Sequence, residues 1–132
     1  MKLNDEERKT IVRLRLEKAR STLREAKGTM DLKYWHTAAN RLYYACYYAA
    51  SALLIHHEHP AQTHSGIINL LGMHFISTNV ISKEQGKFYA KLFELRQTGD
   101  YSDWKSIEEE DVKNLVQPAE EFICAIEKLI LS

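Results

Sequence analysis

The sequence predicts an all-α protein, an antiparallel up-and-down bundle of about five helices. Only two prolines and five glycines interrupt its 132 residues, and apolar residues recur at three- and four-residue steps rather than in alternation. The hydrophobic content of 45% is enough for one core, so we expect residues 1–132 to form a single domain. No repeat, linker or low-complexity tract divides the chain.

The first helix is predicted from about Asp5 to Lys27, because one apolar stripe runs along this segment. The stripe consists of Val12, Leu16, Ala19, Leu23 and Ala26. Glycine favours helix C-termini, so Gly28 is expected to end the helix. Asp31 is expected to cap the helix that follows, because its side chain can accept a hydrogen bond from a free backbone N–H group.

The second helix is predicted from about Leu32 to His57. Between Ala38 and Ile55 it is apolar or aromatic on nearly every side. This pattern is typical of a central helix that several neighbours contact. Its alanines allow partner helices to approach closely, and its tyrosines can bury their rings while their hydroxyls reach polar groups.

The third and fourth helices are predicted from their capping residues. Thr63 or Ser65 can cap the third helix. Ser82, followed three residues later by Gln85, resembles a capping box for the fourth. Gly99 suits the C-terminus of that fourth helix.

The fifth helix is expected to begin at Ser106, where the acidic residues that follow are favoured by the helix dipole. Pro118 lacks a backbone N–H group, so it should kink this helix or divide it. The apolar face of the segment consists of Leu115, Ala119, Phe122, Ile126 and Leu129.

The formal net charge is zero, which excludes a strongly basic nucleic-acid-binding footprint over the whole protein. The charges are nevertheless uneven along the chain. Residues 8–27 carry eight cations and two acids, whereas residues 100–121 carry eight acids and two lysines. Two solvated helix faces would explain this pattern, and a basic face for a polyanion or a partner is the alternative.

The cysteines and the chain start indicate where the protein resides. Cys46 and Cys124 each lie in an apolar helical pattern, as small buried residues of a reduced, intracellular protein do. The charged start is not typical of a signal peptide, and no apolar run approaches membrane-spanning length. We therefore expect a cytoplasmic protein that does not cross a membrane.

Six histidines raise the question of a metal site. Those closest together in sequence are His56, His57 and His59, with His64 soon after. They lie across a helix end and a loop with no cysteine nearby, which is not the spacing of a zinc site. No phosphate-binding glycine loop or dinucleotide fingerprint is present either. We therefore expect neither a metal nor a cofactor, and we expect His36 and His74 to be ordinary, partly buried residues.

Two arginines stand beside tyrosines at the edges of apolar helices. Arg41 precedes Tyr44, and Arg96 precedes Asp100 and Tyr101. An arginine is costly to bury unpaired, so each one either joins an internal ion pair or faces a groove and meets an anion. For Arg96, an Asp100 pair and phosphate binding beside Tyr101 both remain open. For Arg41, an ion pair with the acidic last third of the chain is favoured.

Three motifs together resemble the small stand-alone HEPN proteins of bacteria and archaea. They are Arg41-Leu42-Tyr43-Tyr44-Ala45, Thr63-His64-Ser65-Gly66, and Arg96 through Asp100-Tyr101. The resemblance implies a five-helix bundle that is usually dimeric. In active members, an arginine followed four to six residues later by a histidine forms a metal-independent ribonuclease site. Many members are toxins encoded beside a minimal nucleotidyltransferase, and others bind nucleotides or RNA.

The ribonuclease motif is matched only in part. Arg96 stands at the position of the motif's arginine, but residues 97–102 contain no histidine, and Tyr101 occupies a place where one could stand. Tyrosine, with a reference pKa near 10, is a poor base at neutral pH. Arginine can stabilise phosphate charge but cannot shuttle protons. His64, which opens the third helix, could meet an anion there or supply the missing group.

The resemblance therefore implies a homodimer that recognises a nucleotide, RNA or a nucleotidyltransferase partner. The candidate binding residues are Arg41, Tyr44, His64, Arg96 and Tyr101. The first alternative is an endoribonuclease in which Arg96 acts with Asp100, Tyr101 or His64. The second is a purely structural, partner-docking bundle. In some systems of this family the partner adds adenylate to a tyrosine near the motif, which makes Tyr101 a candidate modification site.

Overall fold

The computed structural model describes residues 2–131, and within them every regular element is helical. The helices are α1 (Asp5–Asp31), α2 (Trp35–His56), α3 (His64–Leu71), α4 (Lys83–Tyr101), α5 (Glu109–Val112) and α6 (Val116–Leu131). A π-helical turn (Gly72–Ile76) follows α3, and a 3-10 turn (Lys113–Leu115) joins α5 to α6. This arrangement confirms the predicted all-α antiparallel bundle.

The central helix is α2, which contacts all five of the other α-helices. Its longest interface is with α1, where small side chains let the two backbones approach closely. The fully buried alanines of α2 are Ala38, Ala39, Ala45, Ala49, Ala50 and Ala52. The apolar stripe predicted for α1 is buried against this face, because both helices place their apolar residues toward the same core.

Side-chain caps fix where three helices begin. Thr63 rather than Ser65 caps α3, since its hydroxyl accepts a hydrogen bond from the Gly66 N–H at 2.9 Å. The predicted capping box of α4 is present, with the Gln85 N–H donating to Ser82 Oγ at 3.1 Å. A similar box, formed by Asn4 and Glu7, begins α1. Each cap satisfies backbone donors that have no partner within the helix.

The predicted boundary between α1 and α2 is wrong. Gly28 lies inside α1, which continues to Asp31, and Asp31 does not cap α2. The extra turn places Met30 against the core, which favours helix continuation over a glycine stop. The chain turns instead at Lys33, whose φ of 63° is in the left-handed region.

The predicted end of α4 at Gly99 is also wrong. The helix continues to Tyr101, and the Ser102 N–H donates back to the Thr98 carbonyl at 3.0 Å. Asp100 therefore lies one helical turn after Arg96, on the same face of α4, rather than in a loop beyond the helix. The two side chains can meet only because this last turn is helical.

The fifth predicted helix is divided, as Pro118 suggested. Its first part begins after Glu108 rather than at Ser106, with the Glu108 N–H donating to Asp111 Oδ2 at 2.9 Å. The 3-10 turn then separates α5 from α6, and Pro118 lies in the first turn of α6, where a missing N–H group costs least. The predicted apolar face packs on the core.

The two cysteines are free thiols; Cys46 is buried and Cys124 is half-buried. Burial raises the pKa of the Cys46 thiol well above its usual range. Within residues 2–131, no helix combines the length and the apolar character that crossing a bilayer requires.

Candidate functional site

Arg96 is held between two helices. Its side chain is only 12% exposed, and its Nη2 atom donates a hydrogen bond to the Tyr44 hydroxyl of α2 at 3.1 Å. On its own helix, Nε lies 2.8 Å from Asp100 Oδ2. This second contact is ionic rather than a hydrogen bond, because the N–H bond does not point at the oxygen. Contacts from both helices therefore fix the guanidinium before any ligand arrives.

Two guanidinium groups lie close to the aromatic ring of Tyr44. The Arg41 Cζ atom is 5.3 Å from the ring centroid, and the Arg96 Cζ atom is 5.4 Å from it. The ring quadrupole attracts both cations and keeps two like charges near each other. We call Arg41, Tyr44, Arg96 and Asp100 the arginine cluster. Two arginines that converge in this way offer paired N–H donors to an anion.

The ion-pair partner of Arg41 differs from the prediction. Its Nη1 atom lies 3.5 Å from Glu25 Oε1 on α1, not from an acid of the last third of the chain. The reason is that position 41 of α2 faces α1 across the longest helix interface. The Glu25 side chain is 61% exposed, so solvent screens the pair. Arg41 also donates to Asn40 Oδ1, from Nη2 at 2.8 Å and from Nε at 3.2 Å.

Asp100 joins the arginine cluster to a histidine. Its Oδ1 atom lies 3.1 Å from His36 Nε2, and its Oδ2 atom accepts from Asn40 Nδ2 at 3.5 Å. The expectation that His36 is an ordinary, partly buried residue is wrong, because 57% of its side chain is exposed. The sequence does contain a signal: His36, Asn40 and Tyr44 follow one another at four-residue steps, so they share one face of α2.

Gly99 makes room for the His36 ring. A Cβ atom at position 99 would lie 2.8 Å from His36 Cδ2 and 3.2 Å from its Nε2 atom. Real Cβ atoms do not approach a ring carbon that closely, so only glycine lets α4 pass the imidazole in this position. Gly99 therefore allows His36 and Asp100 to pair, and it does not end the helix.

His64 is bound to the tyrosine beside the arginine cluster. The Tyr43 hydroxyl and His64 Nδ1 are 2.6 Å apart. Burial raises the pKa of Tyr43 to about 12, so Tyr43 is the donor and His64 Nδ1 the acceptor. Burial lowers the pKa of His64, and the positive charge of Arg96 lowers it further. At neutral pH the His64 ring is therefore neutral, with its centroid 5.9 Å from that of Tyr44.

Aromatic side chains lie open to solvent at the edge of the site. The Arg96 Cζ atom is 5.9 Å from the centroid of the Tyr101 ring, which is 74% exposed. Trp104, three residues further along, is 98% exposed. A base or a protein surface can therefore reach these rings without any rearrangement of the core.

The structure thus brings the six residues singled out in the sequence to one end of the α2–α4 interface. They are Arg41, Tyr44, His64, Arg96, Asp100 and Tyr101. Across residues 2–131, no three histidine, cysteine, aspartate or glutamate side chains are grouped so that they could hold a metal ion. The arrangement is suited to holding a phosphate group, and the roles of the individual residues stay predictions.

Comparison with known proteins decides the family. A sequence model described as the HEPN domain matches residues 12–129. The chain belongs to the HEPN family. This HEPN protein is 41% identical over 124 residues to a protein of Thermotoga maritima named "UPF0332 protein", and the match covers 94% of each chain. It is also 32% identical over 128 residues to "Putative toxin MJ0605" of Methanocaldococcus jannaschii, covering 97% of this chain and 94% of the relative.

A solved structure supports the fold of this HEPN protein. The crystal structure of TT1696 from Thermus thermophilus superposes with a TM-score of 0.76. The alignment covers 89% of this chain and 96% of the other, at 20% sequence identity. At that identity the likeness establishes the shared helical bundle and leaves the chemistry to be argued from the residues themselves.

Proposed function

We propose that this HEPN protein is a toxin-type module that binds the phosphate groups of RNA or a nucleotide at the arginine cluster. The observation that carries the proposal is the pair of guanidinium groups close to the Tyr44 ring. A relative with almost the same length carries the name "Putative toxin MJ0605", which supports the toxin-type assignment.

The charges of the cluster favour an anionic ligand. The Asp100 carboxylate offsets the charge of Arg96, whereas the ion-pair partner of Arg41 is the exposed and more distant Glu25 carboxylate. A phosphate over Tyr44 could accept hydrogen bonds from both arginines, and charge-assisted bonds of this kind are the strong ones. Because Arg96 is already fixed, little side-chain entropy would be lost on binding. The exposed Tyr101 ring could stack on a base.

The test is the binding of fluorescein-labelled single-stranded RNA, measured by fluorescence anisotropy. Losing a charge-assisted contact worth roughly 1.5 to 3 kcal/mol should weaken binding by about tenfold or more in Arg96→Ala and in Arg41→Ala. Arg96→Lys keeps the charge but loses the forked pair of N–H donors, so its RNA affinity should lie between that of wild type and that of Arg96→Ala. Arg13→Ala is the matched control, because Arg13 is exposed on α1 and, within residues 2–131, forms an ion pair only with Glu17. Equal affinity of wild type and a folded Arg96→Ala would refute the proposal.

A second candidate function is a metal-independent endoribonuclease, which the His36–Asp100–Arg96 chain favours. Asp100 can accept the Nε2–H proton of the His36 ring and so fix the ring's orientation and tautomer, which leaves Nδ1 to act as base. His36 would take the proton of a ribose 2′-hydroxyl, whose oxygen attacks the adjacent phosphorus. The bond from phosphorus to the 5′-oxygen breaks, and that oxygen leaves with a proton from solvent. Arg96 would stabilise the charge that develops on the phosphoryl oxygens.

Cleavage of labelled RNA without added metal tests this candidate. We expect Arg96→Ala to lose both binding and cleavage, and His36→Ala to lose cleavage while it keeps RNA affinity. Tyr101→Phe should cleave like wild type, because its hydroxyl has no part in the scheme. Absence of cleavage by the wild-type protein, or unchanged cleavage by His36→Ala, would exclude His36 as the base.

A nucleotidyltransferase partner and the modification of Tyr101 belong to the same proposal. The exposed Tyr101 hydroxyl could give its proton to solvent and attack the α-phosphorus of ATP. The bond from that phosphorus to the bridging oxygen breaks, pyrophosphate leaves, and an adenylate remains on Tyr101 beside Arg96. Mass spectrometry after coexpression with a minimal nucleotidyltransferase should then find added adenylate on Tyr101 and none in Tyr101→Phe. The homodimer stays a prediction that light scattering of the purified protein can check.

A further inference from the structure

Cations of α1 contact Tyr48 and Ser51 of α2, next to the arginine cluster. Lys18 Nζ is 4.7 Å from the centroid of the Tyr48 ring. One turn earlier on α1, Arg15 Nη1 donates a hydrogen bond to Ser51 Oγ at 3.0 Å. We call Arg15, Lys18 and Tyr48 the α1–α2 strip.

The strip continues from the arginine cluster. The Tyr44 and Tyr48 rings are neighbours on α2, with centroids 6.1 Å apart, so the Tyr48 ring links Lys18 to the Tyr44 ring. From Arg41 to Ser51 the helix rises about 15 Å, at about 1.5 Å per residue. Four cations and two tyrosines therefore follow one another along one side of the molecule.

The charge of the strip is not neutralised within the protein. Among the residues that the structure describes, neither Arg15 nor Lys18 makes an ion pair, whereas Arg13 and Arg20 on the same helix do. Glu25 and Asp100 lie at the arginine-cluster end, whereas Glu58, which lines a cavity together with Arg15, is paired with Arg8. The Arg15 end is thus the more positive part, although the whole chain carries no formal net charge.

We propose that the α1–α2 strip binds the single-stranded RNA that extends from a phosphate held at the arginine cluster. The inference rests on the proposed function and names its ligand as a strand rather than a mononucleotide. Cations next to aromatic rings suit a strand, which presents both phosphates and base faces. An acidic protein surface would need the cations alone. At about 3.4 Å per stacked nucleotide, the distance of about 15 Å from Arg41 to Ser51 is long enough for about four nucleotides.

Anisotropy with a uridine dinucleotide and with a ten-nucleotide oligouridylate tests the strip. Lys18→Ala and Arg15→Ala should each weaken binding of the longer strand about five-fold and leave dinucleotide binding unchanged. Each should also reduce the slope of log affinity against log salt concentration by about 0.7. Lys27→Ala is the matched control, because it removes the same charge from the opposite side of α1. Lys27 lies nine residues from Lys18, which is half a turn around the helix axis.

The outcomes separate the strip from the arginine cluster. Loss of long-strand affinity in Arg96→Ala, with Lys18→Ala and Arg15→Ala both equal to Lys27→Ala, overturns the strip and leaves the proposed function standing. Loss in Lys18→Ala without loss in Arg96→Ala supports the strip and refutes the cluster. If wild type binds the dinucleotide and the longer strand equally well, the strip is not an RNA site. The same holds if Lys18 contacts only an acidic protein partner.

Discussion

Replacement of Gly99 by alanine should move one imidazole while it leaves the bundle intact. The added Cβ atom would lie 2.8 Å from His36 Cδ2 and 3.2 Å from Ile107 Cγ1. The His36 ring is more than half exposed and can rotate into solvent, whereas Ile107 needs to yield by only a few tenths of an ångström. We therefore expect Gly99→Ala to separate His36 from Asp100.

The energetic terms of this substitution nearly cancel. Alanine is favoured over glycine within a helix by about 1 kcal/mol, and by less in a last turn. The His36–Asp100 contact is largely exposed on the histidine side and contributes at most about 1 kcal/mol. The free energy of unfolding should therefore stay within about 1 kcal/mol of wild type, although the geometry of the site changes.

Urea-induced unfolding and NMR spectra of the histidine rings measure the two effects separately. The His36 ring signals should shift in Gly99→Ala, and those of His64, which is held by Tyr43, should not. Gly28→Ala is the control, because a Cβ atom at position 28 meets nothing within 4 Å. It should raise the free energy of unfolding by about 0.5 to 1 kcal/mol without moving any histidine signal.

Two results would refute this reasoning. A loss of more than about 2 kcal/mol in Gly99→Ala would show that the clash is not relieved by the flexible ring. Unchanged His36 signals would show that Gly99 is not needed for the position of the imidazole. If wild type cleaves RNA, Gly99→Ala should lose cleavage to the same extent as His36→Ala.

Three further predictions concern stability. Tyr43→Phe removes the hydrogen bond to His64 and should lower the free energy of unfolding by about 1 to 3 kcal/mol; an unchanged urea midpoint would contradict this. Burial lowers the pKa of both His64 and His57, so the unfolded chain binds more protons below about pH 6.5. The free energy of unfolding in urea, measured between about pH 8 and pH 5, should therefore be highest at the alkaline end and fall on acidification. A free energy that does not change with pH would contradict this prediction. Arg20→Ala removes a guanidinium that Glu127 of α6 binds, and it should lower the free energy of unfolding by about 1 to 2 kcal/mol, measured as a lower Tm. Added salt screens the same ion pair, so it should lower the Tm of wild type by part of that amount.

The helices and several caps were predictable because they depend on neighbours in sequence. The capping box of Ser82 and Gln85 involves residues three apart, and so does the hydrogen bond from Gly66 to Thr63. The end of α1 was not predictable in the same way. Local propensity favours a stop at Gly28, whereas packing of the next turn on the core overrides it.

The candidate site was predictable where its partners share a helix. The Arg96–Asp100 pair spans four residues of α4, so spacing alone suggests it. Contacts between helices depend on which faces meet, and spacing does not contain that information. Arg41 therefore pairs with Glu25 of α1, against expectation, and the contact between His36 and Asp100 joins residues 64 positions apart.

The exposed indole of Trp104 makes intrinsic fluorescence a measure of binding to this protein. The chain has two tryptophans, and the other, Trp35, is partly buried against the core. Trp104 is 98% exposed and lies three residues from Tyr101, so its fluorescence reports contact with water at this edge of the protein. An RNA strand, a second copy or a partner that covers this edge would shift or quench that emission. Binding at the site can therefore be followed on the unlabelled protein, with Trp104→Phe as the blank.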